Sequence, residues 1–362
     1  MKNFHIEGYH LEEESLGKGC CGEVFRAKRE SDGGDYVVKR YNPMSIDRRV
    51  VEDMMERQLR APDHPGIVPL VEFRISSPPY YTVTKFERNK TLLDGKKFDY
   101  TQASELLLSL SKALGHAHNY GLVHGNFHPG NVFYRLEDDL SFSARVGDFA
   151  AGMIGDVHYI DLDESACFSS PDQLLCLGAD YKFGNAEKWD VYRFGSVAYW
   201  LLNGRFPRGE SYRLARARAL VESGGRPVPV DPYALAEAMQ NEEELQWLDR
   251  ESADSPIREI VEKCLQLDTK LRPLDMEEVR LEFEAAGKVP DEPVPDEPVP
   301  EIRLVPEPDP EPEPEPIPEV EPAVVHEEPE PQRITGNRLI RWFRSGGRSE
   351  KSRSVHRHAD SG

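Results

Sequence analysis

The octet HGNFHPGN, His124 to Asn131, packs two histidines, two asparagines, two glycines and a proline into eight residues. Two readings fit such a stretch: a metal-binding cluster, or a turn that aims polar groups at a ligand. His116 and His118 lie just upstream in LGHAHNYG and lend weight to the metal reading. They sit two apart on a helical pattern, however, so they project from different faces rather than toward one tetrahedral ion. The choice depends on what the rest of the chain places around the octet.

Composition sets the bounds. The chain has 362 residues and a formal net charge of −20, enough for one large domain or two smaller ones. No N-terminal apolar stretch resembles a signal peptide and no apolar run reaches membrane-spanning length, so the expectation is a cytoplasmic protein. Cys20, Cys21, Cys167, Cys176 and Cys264 form no C-x-x-C pair, which suits free thiols in a reducing compartment. The acidic balance argues against non-specific nucleic-acid binding.

The charge is unevenly spread. From Pro290 to Pro331 the chain reads PDEPVPDEPVPEIRLVPEPDPEPEPEPIPEVEPAVVHEEPEP. Proline removes backbone donors and like charges repel, so no core can form there. Residues 287–332 are expected to be an acidic, extended spacer; at ~3.1 Å per residue it reaches on the order of 100 Å. The sign then reverses over residues 333–362. Within 337–344, Arg338, Arg341 and Arg344 share one side of a helical wheel, with Leu339, Ile340, Trp342 and Phe343 on the other. This is the pattern of a short basic amphipathic helix that docks on an anionic membrane or an acidic protein surface, the chain's own front half included. The alternative is a disordered tail.

Before Gly287 the order of elements is informative. EVFRAKR, DYVVKRY, GIVPLVEFRI and YYTVTKF read as strands, interrupted by a helical IDRRVVEDMMERQLRA. After Leu92 helical periods dominate, as in ASELLLSLSKALGHAHNYG and WDVYRFGSVAYWLLNG. Strands followed by helices predict an α+β chain with a small sheet part and a larger helical part.

Gly17, Gly19 and Gly22 form G-x-G-x-x-G in LGKGCCGEV, with Val24 two residues on. Glycines let backbone amides approach phosphate oxygens. A dinucleotide site would need a helix next; here a strand-like run follows, so the glycines belong in a hairpin. Lys39 in YVVKRY falls on the following strand, at a spacing that reaches phosphates.

Taken together, residues 9–283 resemble the protein kinase family, and the two-lobed fold of that family is the expectation. The resemblance implies a domain over 1–286, with an N-lobe over about 1–86 and a C-lobe over about 92–286. Its glycine-rich loop and VVK match the phosphate-covering loop and the β3 lysine. The octet resembles the catalytic loop H-R-D-x-x-x-x-N, with His124 and Asn131 at its ends. VGDFA resembles D-F-G through Asp148 and Phe149, and SSPDQL resembles the A-P-E segment. The resemblance further implies that Asp190 braces the catalytic loop and that Arg272 pairs with Asp172. It implies ATP and Mg²⁺ as ligands, with Asn131 and Asp148 as metal ligands. Thr84, before Lys85-Phe86, resembles the gatekeeper of the adenine-contacting hinge. Pro129 and Ser165 resemble serine/threonine rather than tyrosine kinases.

The centre of the loop departs from the family. H-R-D is His124-Gly125-Asn126, so Asn126 stands where the catalytic aspartate accepts a proton. An amide orients a hydroxyl but has no pKa near neutrality. The catalytic-loop lysine is His128, mostly neutral at pH 7. The regulatory domains of Janus kinases are similar in bearing H-G-N here. Ala150 replaces the D-F-G glycine, and Gly125 removes the arginine that grips a phosphorylated activation loop. Ungapped counting puts Met55 where the family's lysine-pairing glutamate stands; Glu52 is the first substitute and Glu56 the second. Cys20 and Cys21 at the loop tip are either small fillers or a redox-sensitive pair.

The resulting expectation is an ATP–Mg²⁺-binding pseudokinase that serves as a scaffold or regulator in signalling through protein partners. The alternatives are a slow but active serine/threonine kinase and an interaction module with an empty pocket. For the tail, a peptide covering 333–362 is expected to blue-shift its Trp342 emission on anionic vesicles or on the front domain, reversibly with salt. An emission maximum unchanged by both leaves the disordered-tail reading.

Overall fold

The computed structural model describes residues 4–286, except 20, 43–47, 88–89, 95–96, 137–141, 150–163, 177–185, 227, 243 and 248–254. The expected acidic spacer over 287–332, the expected basic tail over 333–362 with the short helix expected at 337–344, Cys20 and Ala150 lie outside the described residues.

Period-two apolar patterns build the first sheet. β1 (Tyr9–Gly19), β2 (Gly22–Arg29), β3 (Asp35–Tyr41), β4 (Leu70–Arg74) and β5 (Tyr81–Lys85) pair antiparallel in the order β1-β2-β3-β5-β4. One face closes over Tyr9, Ala27, Tyr36, Val38, Tyr81 and Val83. Successive side chains alternate between faces, so the other face gathers Val24, Val37, Lys39, Thr82 and Thr84. The register sets Val24 and Thr82 opposite Lys39, and Thr84 opposite Val37. The run GIVPLVEFRI is strand only over Leu70–Arg74. Pro69 has no amide to donate, which keeps the preceding residues out of the ladder.

α1 (Arg48–Arg60) presents Val51, Met54 and Met55 to Tyr41 and Ile75. α2 (Tyr100–Asn119) begins at a capping box, in which Asp99 accepts from the Gln102 amide and Gln102 accepts from the Asp99 amide. It stops before Gly121, whose φ of +68° suits a residue without Cβ. Leu106, Leu107, Leu110, Ala113, Leu114 and Ala117 recur at helical spacing and enter the main core.

α4 (Ala186–Asn203) is the central element. Val191, Tyr192, Phe194, Val197, Ala198 and Tyr199 are all fully buried, the mark of a helix surrounded on all sides. α3 (Pro171–Leu175), α5 (Glu210–Glu222), α6 (Pro232–Asn241), α7 (Pro256–Cys264) and α8 (Met276–Ala286) complete the helical part. Gly195 permits the close approach of α7, since a Cβ there would lie 2.7 Å from that of Cys264. A small sheet of β6 (Lys90–Thr91), β7 (Val132–Leu136) and β8 (Phe142–Val146) lines the junction between the two parts. The octet runs from the end of α2 into β7, at that junction. The α+β, two-part architecture expected from the order of patterns is the one observed. Among the described residues no helix is long and apolar enough to cross a membrane.

The three glycines of the β1–β2 hairpin differ physically. A Cβ on Gly22 would lie 2.0 Å from the Arg40 carbonyl oxygen, whereas at Gly17 and Gly19 it would meet nothing within 4 Å. Gly22→Ala is therefore expected to destabilise the free protein by about 1–3 kcal/mol through overpacking. Gly17→Ala and Gly19→Ala should stay within about 0.5 kcal/mol of the parent. Thermal unfolding of the three variants without nucleotide measures the contrast.

Candidate nucleotide and catalytic site

The octet owes its shape to one buried carboxylate. Asp190 on α4 accepts from the amides of His124 (2.6 Å) and Gly125 (2.7 Å) and from Nε2 of His118 (3.1 Å). The Met276 amide donates to Nδ1 of His118 at 3.0 Å, so the proton of that ring lies on Nε2, facing Asp190. Burial works against the charge of Asp190, yet the His118 hydrogen bond and the loop amides bring its pKa below the ordinary value. Gly125 takes a φ of +70° beside it, at little cost for glycine.

The histidines of the sequence have separate tasks. His124 is fully buried; its Nδ1 accepts from the Asn126 amide at 3.2 Å and its Nε2 bonds the Gly147 carbonyl at 2.9 Å. His128 accepts from the Gly130 amide and caps a short turn over Pro129–Asn131. His116 bonds the Pro62 carbonyl and stacks on His64 with ring centroids 4.7 Å apart. His116 and His118 diverge as helical geometry requires, and among the described residues no group of three or more His, Cys, Asp or Glu side chains could hold a metal.

The polar centre forms where the sheet meets the octet. Lys39 Nζ lies 2.6 Å from both carboxylate oxygens of Asp148. Burial alone would lower the lysine pKa, but the Asp148 charge outweighs it and holds the ammonium well above its usual range. Asp148 has a φ of +63°, a left-handed conformation rare outside glycine. Phe149, next to it, is buried with its ring 4.8 Å from that of His124. The Gly147 amide donates to the Asn131 carbonyl at 2.9 Å, which ties Asp148 to the end of the octet. Asn131 Nδ2 donates to the Asn126 carbonyl at 3.1 Å, so its Oδ1 is the atom left to face a ligand.

The lysine-pairing glutamate is the sequence expectation that this structure corrects. Among the described residues neither Glu52 nor Glu56 bonds Lys39, whose carboxylate partner is Asp148, while Glu56 pairs with Arg60. The inward face of α1 is apolar, with Met55 buried at the place found by ungapped counting. Cys21 is likewise turned inward, packing with Tyr41, Met54 and Met55. Val24, Thr84 and the glycines 17, 19 and 22 lie on the sheet and hairpin that carry Lys39.

A family model of the protein kinase domain matches residues 9–282. The chain belongs to the protein kinase family. Similar curated proteins include human ribosomal protein S6 kinase alpha-2, 27% identical over 213 residues, covering 57% of this chain and 28% of that protein. Sperm motility kinase 2B of Mus musculus is 26% identical over 213 residues, covering 57% of this chain and 42% of that protein. This chain thus spans well under half the length of either relative. A solved structure of Rad53 residues 1–466 in complex with AMP-PNP aligns with a TM-score of 0.53 and 18% identity, covering 76% of this chain and 64% of that one.

Other landmarks of the kinase domain assemble as the resemblance implies. Arg272, its side chain fully buried, bonds Asp172 at 2.6 Å, and Trp189 Nε1 donates to the same carboxylate at 3.0 Å. Glu164 pairs with Arg216 of α5. Two residues of this neighbourhood were missed by sequence reasoning, Arg193 and Gln173. Arg193 is 4% exposed on α4 and bonds Gln173 Oε1, while Gln173 Nε2 donates to the Gly125 carbonyl at 2.7 Å. The available signal was an arginine inside the apolar run VYRFGSVAYW, where a buried charge must find acceptors.

Burial, followed by the nearby charge of Arg193, pushes the His128 pKa down to about 3. Burial also lowers that of His124. In the unfolded chain both rings titrate near 6.5. A folded pKa below the unfolded one means that their contribution to stability is complete above about pH 6.5 and is lost as pH falls through the folded pKa, which for His128 is about 3. The urea midpoint of the kinase domain is therefore expected to fall between pH 7 and pH 5. His128→Gln, which keeps an acceptor but cannot titrate, should flatten that dependence.

Proposed function

We propose that this kinase domain binds ATP with Mg²⁺ and acts as a nucleotide-responsive regulator, with weak or no transfer of phosphate to serine or threonine. The observation that carries the proposal is Asn126, an amide at the proton-accepting position of a loop braced by Asp190 and His124. On the nucleotide side, Gly17 and Gly19 leave open space above the hairpin, and their amides could cradle phosphates. Lys39 supplies a cation, and the AMP-PNP held by the Rad53 neighbour supports this half of the reading. Asn131 Oδ1 and the Asp148 carboxylate are hard oxygen donors of the kind Mg²⁺ takes. A bound Mg²⁺ would neutralise phosphate charge there.

On the transfer side, Asn126 can orient a substrate hydroxyl but cannot take its proton, and the uncharged His128 adds no cation. General-base assistance is worth about 10²–10⁴-fold, while positioning and electrostatics supply most of the rest in phosphoryl transfer. A second reading, a slow but active serine/threonine kinase, is favoured by the assembled brace around Asp190 and by the Arg272–Asp172 pair. Regulation would then run through protein partners, with the basic tail supplying attachment to an anionic membrane or an acidic protein surface.

The two readings separate in one set of measurements. Saturating ATP with Mg²⁺ should raise the melting temperature by several degrees, since a ligand at 100 times its Kd stabilises by about 2.7 kcal/mol. Lys39→Ala and Asp148→Ala should shrink that shift. The parent should phosphorylate a generic serine/threonine substrate negligibly, and Asn126→Asp should gain at least about tenfold, a conservative fraction of a general base's worth. Robust parent activity abolished by Asp148→Ala would sink the regulator reading in favour of the slow kinase. No thermal shift in the parent would leave an interaction module with an empty pocket.

A further inference from the structure

Arg193 lies three residues after Asp190, on the same side of α4, and the two treat the octet in complementary ways. Asp190 accepts from the loop's amides at His124 and Gly125. Arg193 donates to the loop's carbonyls, directly to Phe127 at 3.4 Å and through Gln173 to Gly125. The same guanidinium also reaches the Ser165 carbonyl at 3.4 Å and Ser169 Oγ at 2.5 Å. Ser170 then caps α3, accepting from the Gln173 amide at 3.2 Å. One buried side chain thus joins the catalytic-type loop to the segment 165–173, which the family resemblance makes substrate-facing.

Gly125 cannot make the grip that the family's loop arginine makes on a phosphorylated segment. The guanidinium in this chain comes instead from beneath, and among the described residues the acceptors it reaches include carbonyls, an amide and a hydroxyl, none of which needs to be phosphorylated. A planar fork with five donors in fixed directions is the group suited to several neutral acceptors at once. Lysine, a single point charge, could not span them.

We propose that Arg193 is a positioning residue that holds the catalytic-type loop and the segment 165–173 in register without phosphorylation of the chain. The inference builds on the reading of 124–131 as a catalytic-type loop given above, and predicts a domain whose substrate-facing segment is assembled constitutively.

Hydrogen exchange on the full chain, followed by peptide mass spectrometry, tests it. Phosphatase treatment of the parent should leave exchange in peptides covering 124–131 and 164–176 within about twofold. Arg193→Gln should speed exchange in both peptides at least about tenfold while α2 and the five-stranded sheet keep their protection. Loss of protection on dephosphorylation, unchanged exchange in Arg193→Gln, or an equal rise across the whole chain overturns the proposal. Should Arg193→Gln fail to fold, Gln173→Leu deletes the relay alone. It should speed exchange in the same two peptides selectively, and no selective rise there overturns the proposal. The ATP–Mg²⁺ thermal shift, measured on the same samples, should persist in Arg193→Gln. Its absence from the parent would refute nucleotide binding while leaving the exchange result to stand or fall separately.

Discussion

A carboxylate with no exposed surface sits at the middle of this molecule. Leaving Asp190 charged in the interior is costly unless donors replace water, and three do: two consecutive loop amides and the Nε2–H of His118. The donors come from two places in the chain, α2 and the start of the octet. The Met276 amide fixes the tautomer of His118, His118 orients toward Asp190, and Asp190 fixes the start of the octet. His124 then reaches across to the Gly147 carbonyl and packs its ring at a tilt against that of Phe149. The position of Asp148, and with it the cation of Lys39, follows from that chain of contacts. Weakening the first link would loosen every later one.

The second organising feature is the Lys39–Asp148 pair. It joins the sheet to the helical part beside the octet. In many sites of this size a lysine is balanced by a glutamate on the neighbouring helix; here that helix offers Val51, Met54 and Met55 instead. The apolar face packs α1 firmly on Tyr41 and Ile75, and the balancing of the ammonium passes to Asp148. Lys39 and Asp148 neutralise each other in this arrangement.

α4 ties these features together because it is buried on nearly every side. A helix in that position cannot satisfy its own charged side chains with water, so each must find partners in the surrounding chain. Asp190 finds donors chiefly in the octet, while Arg193 finds acceptors both in the octet, at Phe127, and in the segment 165–173. The pairing of Arg272 with Asp172 anchors the other flank of the same segment. The loop thus gains its rigidity from the core of the domain rather than from its own short sequence.

Much of this was written in the linear chain. Period-two runs marked β2, β3 and β5, helical runs marked α1, α2 and α4, and ordered motifs identified Asp148, Asn131, Asp190 and the Arg272–Asp172 pair. Those signals are local, because periodicity and motif spacing depend only on neighbours along the backbone. The partner of Lys39 was not legible in this way: the sequence offered Glu52 and Glu56, and the apolar inward face of α1 leaves Lys39 to Asp148. The glycines 17, 19 and 22 look equivalent as a motif, yet the approach of the Arg40 carbonyl makes Gly22 a steric necessity and leaves the other two in open space. Arg193 announced itself only as a charge in an apolar helix. Its acceptors come from segments 20 to 66 residues away in sequence, and only the folded path of the chain brings them within hydrogen-bonding distance of one guanidinium.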